Sequence, residues 1–138
     1  MLIADLGVLL YGLMVVFVPD VLSEGYRIST GQSWSVMLSV SPQTAEYLLL
    51  LWRLVGALNV AFAVVAIAIV LTGFRRGEAW SWYALFIGNT LGYGSPIAFD
   101  ITVGAIGFFE ILEIALLVLI YVALGISAKE VLSKKRDV

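Results

Sequence analysis

The sequence predicts an all-α integral membrane protein, a four-helix antiparallel bundle built as a single domain over residues 1–138. Three observations carry this: 62% hydrophobic against 13% charged side chains, a mean hydropathy of +1.04, and long apolar runs separated by charged or turn-forming breaks. Soluble domains are roughly half apolar and about a quarter charged, so the bilayer is the expected solvent. A chain of 138 residues has no room for a soluble domain of ordinary size beside a membrane core.

A spanning helix needs about 20 mostly apolar residues to cross roughly 30 Å of hydrocarbon. The first is expected at about 2–19, in MLIADLGVLLYGLMVVFVP, closed by Pro19. Asp5 stands where a secretory leader would carry basic residues, and no small-x-small cleavage site follows, so this helix reads as retained. An outer loop over 20–44 comes next. Val21, Leu22, Trp34, Val36, Met37 and Leu38 make it too apolar for a free loop, so it is expected on the bundle mouth or in the headgroup layer, as an anchor or as a lid over a pocket.

Helix two is expected at about 45–72, with Ser41 as N-cap, Pro42 in the first turn and Gly73 at its end. The turn FRRGEAWSWYAL follows, its Trp80, Trp82 and Tyr83 forming an interfacial aromatic belt. Helix three is expected at about 79–97, ended by Pro96. Helix four then covers about 99–126, with Asp100 in its first turn facing the helix dipole. The tail 127–138 reads as a basic arm near anionic lipid. Arg75, Arg76, Lys129, Lys134, Lys135 and Arg136 fall on one side of this arrangement and Arg27 on the other. By the positive-inside rule both termini are cytoplasmic, in the cytoplasmic (inner) membrane of a bacterial or archaeal cell.

Composition also excludes chemistry. Cysteine and histidine are both absent, so this chain alone builds no disulfide, thiolate metal site, histidine-ligated haem or Ser-His-Asp unit. Neither a cofactor nor a metal is expected. Bundle di-metal sites use a Glu-x-x-His pair, which Glu110 and Glu113 lack. A net charge of -2 argues against nucleic acid.

An ionisable residue at the bilayer centre costs about 2.5–3.5 kcal/mol on insertion scales and therefore faces protein or water. Counted along helix four, Asp100 is expected at the outer rim, Glu110 near mid-bilayer and Glu113 one turn further in. With Asp5 near the cytoplasmic end of helix one, the acids would form an irregular ladder. Arg53 is the one base at depth, with Glu46, Asp100 and Glu110 as possible partners. Gly56, Asn59, Ala63 and Ala66 form a small, partly polar stripe on its helix. Helix three adds Asn89, with Trp82 and Tyr93 on its side, and the close-packing pair Gly88 and Gly92.

The candidate ion- or ligand-binding set is thus Glu110, Glu113, Arg53, Asn59, Asn89 and Asp100. One base cannot neutralise all the acids, so one of the two glutamates is expected to hold a proton. The plainer alternative is a packing network, Glu110 on Arg53 and Glu113 on Asn59, Asn89 or Tyr11, that only fixes helix positions.

Pro19, the segment LWRLVGALNVAFAVVAIAIV with Arg53 and Gly56, and the turn FRRGEAWSWYAL together resemble the DoxX-like small four-helix membrane proteins, over about residues 10–90. The resemblance implies the bundle and names no activity.

Two functions follow. One is a binding or transport protein whose buried carboxylates take a proton, a cation or the amine of an amphipathic ligand. The alternative is a non-catalytic accessory or assembly subunit of a larger membrane complex. Catalysis on a lipid-soluble substrate by paired carboxylates ranks below both, with no residue assigned to it. No internal repeat relates the two helix pairs, so transport would require a homo-oligomer or a larger complex around the site.

Overall fold

A computed structural model describes residues 1–133. It contains six α-helices: α1 (Leu2–Phe17), α2 (Ser23–Thr30), α3 (Trp34–Val40), α4 (Pro42–Ile69), α5 (Ala79–Val103) and α6 (Phe108–Ser133). A 3-10 turn, Pro19–Leu22, leads into α2, and a π turn, Val70–Phe74, extends α4. Two helices are long and apolar enough to cross a membrane: Pro42–Phe74 and Phe108–Ser133, with mean hydropathies of 2.7 and 2.5. The exterior is correspondingly apolar, with Ile3, Leu10, Phe17, Leu58, Leu91 and Ile126 all largely exposed, a pattern that suits lipid contact and not water. The cluster Lys134, Lys135 and Arg136 lies outside the described residues.

The start of α4 follows the sequence. Ser41 occupies the N-cap position and Pro42 the first helical position, where a missing N–H leaves nothing unsatisfied. The Ser41 hydroxyl, however, bonds the Thr44 hydroxyl at 2.7 Å in place of a backbone N–H. The helix ends in the π turn, where the Arg75 N–H bonds the Val70 carbonyl five residues back at 3.1 Å.

The second half departs from the expected boundaries. Pro96 lies inside α5, which runs on to Val103. Proline removes one backbone bond, and the bonds on either side of it carry the helix through. The stop is Gly104, left-handed at φ 71. The Gly104 N–H bonds the Ile101 carbonyl at 3.3 Å and the Ala105 N–H bonds the Asp100 carbonyl at 2.9 Å, the paired bonds of a Schellman cap. Asp100 therefore sits in the last turn of α5, not in the first turn of the next helix. Helix six begins at Phe108, not near 99, which puts Glu110 in its first turn.

The helices associate as two pairs. α1 lies along α4 and touches it backbone to backbone. A Cβ on Gly12 would stand 2.9 Å from the Gly56 carbonyl oxygen, and one on Gly56 would stand 2.8 Å from the Gly12 oxygen. α5 and α6 are joined by side chains instead. The Trp82 indole N–H donates to the Leu124 carbonyl at 2.9 Å, the Thr90 and Tyr121 hydroxyls bond at 2.7 Å, and Phe86 lies between Trp82 and Tyr121 with ring centroids 5.4 and 5.7 Å away. The pairs meet in a core that includes Ala4, Val8, Ala63, Ala66, Leu85, Tyr93 and Ile120. There Gly92 faces the Phe62 ring, 3.2 Å from where its Cβ would be.

The segment expected as an outer loop is mostly helical. The chain turns by 106° after α1, so α2 and α3 lie across one end of the molecule. Trp34 holds them there, with its ring 4.8 Å from Trp52 of α4 and 5.4 Å from Tyr26 of α2.

Candidate functional site

Glu110 and Glu113 stand one turn apart on α6, yet their surroundings differ. The first turn of any helix leaves backbone N–H groups unpaired. Here the Gly107 N–H donates to Glu110 Oε2 at 2.7 Å. Gly107 lies three residues before Glu110, so this is the reach-back half of a capping box, and the charge favours the N-terminal end of the helix dipole. Glu110 is engaged by its own helix.

Glu113 is half-buried, and among the described residues it makes no hydrogen bond or ion pair. Its neighbours come from three helices. The fields of Asp100 on α5 and of Glu110 reach it, and all three carboxylates reach Tyr11 on α1. The Tyr11 ring lies 5.8 Å from Phe109. Ile28 of α2 closes over the same end, 3.2 Å from where a Cβ on Gly107 would stand.

Three acids with one phenol, in no ion pair among the described residues, repel one another. The arrangement therefore favours whatever brings positive charge: a proton, a cation or an amine. Among the described residues no group of three or more acidic residues is close enough to hold a metal ion.

The other expected members lie apart from this cluster. Arg53 is exposed on α4, and the ion pairs among the described residues are Arg27 with Glu24 at 3.6 Å and Arg76 with Glu78 at 3.9 Å. The buried stripe of α4 is Ala45, Gly56, Ala63 and Ala66, and Arg53 projects to its side. The apolar helix Pro42–Phe74 has 33 residues, about 50 Å against roughly 30 Å of hydrocarbon. Arg53 lies eleven residues from its start. Glu46 is also exposed, and Asn59 is half-buried on α4.

Asn89 is fully buried, its amide N–H donating to the Leu85 carbonyl at 2.7 Å. It has two companions outside the expected set, Asp5 and Tyr93, both buried. Tyr93 packs in one buried cluster with Ala4 and Val8, the residues that flank Asp5 on α1. A signal for each was present in the sequence: an acid in an apolar helix at Asp5, and a tyrosine one turn from Asn89 on the same helix face.

No family model, curated protein or solved structure matches this chain.

Proposed function

We propose that the chain is a multi-pass membrane protein in which α1, α4, α5 and α6 form a four-helix bundle, and that its carboxylate site centred on Glu113 takes a proton, a monovalent cation or the amine of an amphipathic ligand, for binding or transport. One observation carries the reading: Glu113 is half-buried among other carboxylates with no protein partner among the described residues, while the neighbouring Glu110 is committed to capping α6. A packing network would use both acids.

The bundle is supported by the way α1 and α5 turn Asp5, Ser81, Asn89 and Tyr93 inward and leave apolar side chains outward. Arg75 and Arg76 beside the π turn and Lys129 late in α6 support a cytoplasmic location for that end and for both termini. The cytoplasmic membrane is the proposed location.

Infrared difference titration of the carboxyl bands in reconstituted protein tests the reading. A band that titrates, shifts on adding a monovalent cation or an amine, and disappears in Glu113→Gln but not in Glu110→Gln is the expected result. Silent bands would sink it.

The second reading is an accessory subunit of a larger membrane complex or a homo-oligomer. Arg53 favours it, because an exposed guanidinium that forms no ion pair among the described residues suits a carboxylate on another chain. Co-purification lost in Arg53→Gln, with the fold retained, would support that reading over the first.

A further inference from the structure

Asn89 of α5 is 0% exposed, yet its Oδ1 has no hydrogen-bond partner among the described residues. The carbonyl beside it sets the orientation of the amide. Leu85 can only accept there, so the Asn89 N–H donates to it at 2.7 Å and the oxygen is left over. Buried polar atoms in folded proteins are almost always satisfied, so a free acceptor at this depth points to a further component.

Asn89 also borders a crevice. α4 and α5 leave about 80 Å³ open beside Phe62, Ala66, Ile69, Leu85, Gly88 and Asn89, roughly half the size of an engineered cavity known to take up benzene. The space follows from how Phe62 packs. A Cβ on Gly92 would stand 3.2 Å from its ring, but one on Gly88, a turn earlier, would stand 3.6 Å away. The ring therefore presses on α5 at Gly92, where it also meets Tyr93 edge to face at 5.9 Å, and leaves room at Gly88.

The lining selects the occupant. Apart from Asn89 the wall is apolar, so an ammonium group would carry an unpaired charge into it. The unused group is an acceptor, which calls for a neutral donor such as a hydroxyl. Val65, on the wall, is 58% exposed and belongs to the apolar span Pro42–Phe74, so the crevice opens on the surface that suits lipid. Oδ1 itself is covered, and an occupant engages it by turning the Asn89 amide outward. The bond this gives up is expendable, because the Leu85 carbonyl keeps its place in the α-helical ladder of α5.

We infer that the crevice between α4 and α5 is a binding site, entered from the bilayer, for the hydroxyl-bearing end of a neutral, lipid-soluble molecule, with Asn89 as its hydrogen-bond acceptor. This site stands on its own residues and does not depend on the reading of Glu113.

The chain contains two asparagines, Asn59 and Asn89, so labelling the full chain with heavy-nitrogen asparagine gives an amide signal at the site and one away from it. The probe is phenol, titrated into the chain in lipid nanodiscs, and the control is anisole, the same ring with its hydroxyl methylated. Phenol should shift the Asn89 side-chain amide saturably and leave Asn59 unmoved. In equilibrium dialysis, corrected for empty nanodiscs, it should bind roughly tenfold tighter than anisole. Gly88→Leu, which fills the crevice, should abolish binding, and Asn89→Leu should abolish the preference for phenol. The inference is overturned if phenol gives no saturable shift, or if anisole binds as tightly, as a crevice that takes only lipid tails requires. It is equally overturned if folded Asn89→Leu keeps the preference or folded Gly88→Leu keeps native binding. Should either variant not fold, the comparison of phenol with anisole on the native chain decides alone.

Discussion

The α1–α4 pair and the α5–α6 pair solve one problem by different means. Lipid tails are as apolar as leucine, so the hydrophobic effect does not press helices together in a bilayer, and close packing or interhelical hydrogen bonds must. α1 and α4 use packing: Gly12 and Gly56 remove the side chains at the crossing, and the backbones meet there. α5 and α6 keep their side chains and bond through them, with Trp82 on the Leu124 carbonyl and Thr90 on Tyr121. The first joint is set by geometry and tolerates nothing larger; the second is distributed and can lose a member. A molecule built this way has one brittle seam and one forgiving seam.

That contrast breaks most readily at the glycines. Gly12→Ala and Gly56→Ala each place a methyl under 3 Å from backbone atoms of the facing helix, and overpacking of this kind typically costs about 1–3 kcal/mol. A reversible unfolding titration in mixed micelles measures it, and a loss below about 0.5 kcal/mol would show that the seam is not brittle. Next comes the start of α6. Glu110→Ala removes the cap on Gly107 and should cost about 1 kcal/mol, in the range of other lost helix caps, whereas Glu113→Gln should leave stability nearly unchanged. Equal losses at both positions would return the two glutamates to a shared packing role.

The forgiving seam sharpens the contrast with a smaller number. Tyr121→Phe deletes the bond to Thr90 and should cost about 0.6 kcal/mol, the average for interhelical hydrogen bonds in membrane protein cycles. Arg53→Gln should have the least effect on stability, within about 0.5 kcal/mol as for other surface positions. A larger loss in the isolated chain would reveal an intramolecular partner for Arg53.

Much of the fold was legible because hydropathy and small-residue stripes are local. The apolar runs marked the long helices, Pro42 marked the start of α4, and of the stripe Gly56, Asn59, Ala63 and Ala66 all but the half-buried Asn59 are buried. The end of α5 was not legible from Pro96, because a proline removes only one backbone bond while the left-handed Gly104 redirects the chain. The boundary error carried into the site. With α6 starting at Phe108, Glu110 became a cap, a role the sequence hid because Gly107 supplies only the backbone N–H and not the side chain of a full capping box. The placement of Arg53 depended on the rotation of α4 about its axis, which a broad apolar surface leaves undetermined. Asp5 was visible as an acid in an apolar helix, but the packing of its neighbours Ala4 and Val8 in one core cluster with Leu85 and Tyr93 is a long-range fact that no local pattern contains.

The π turn at Val70–Phe74 bears on how this chain tolerates length changes over generations. A π turn is an α-helical turn with one residue wound out, so losing a single residue there restores ordinary winding and leaves the faces on either side in phase. A deletion between Gly56 and Ile69 instead rotates everything beyond it by about 100° and turns Ala63, Ala66 or Gly73 away from their neighbours. Single-residue deletions should therefore survive in that one short segment of α4 and be lost from the rest of its buried stripe.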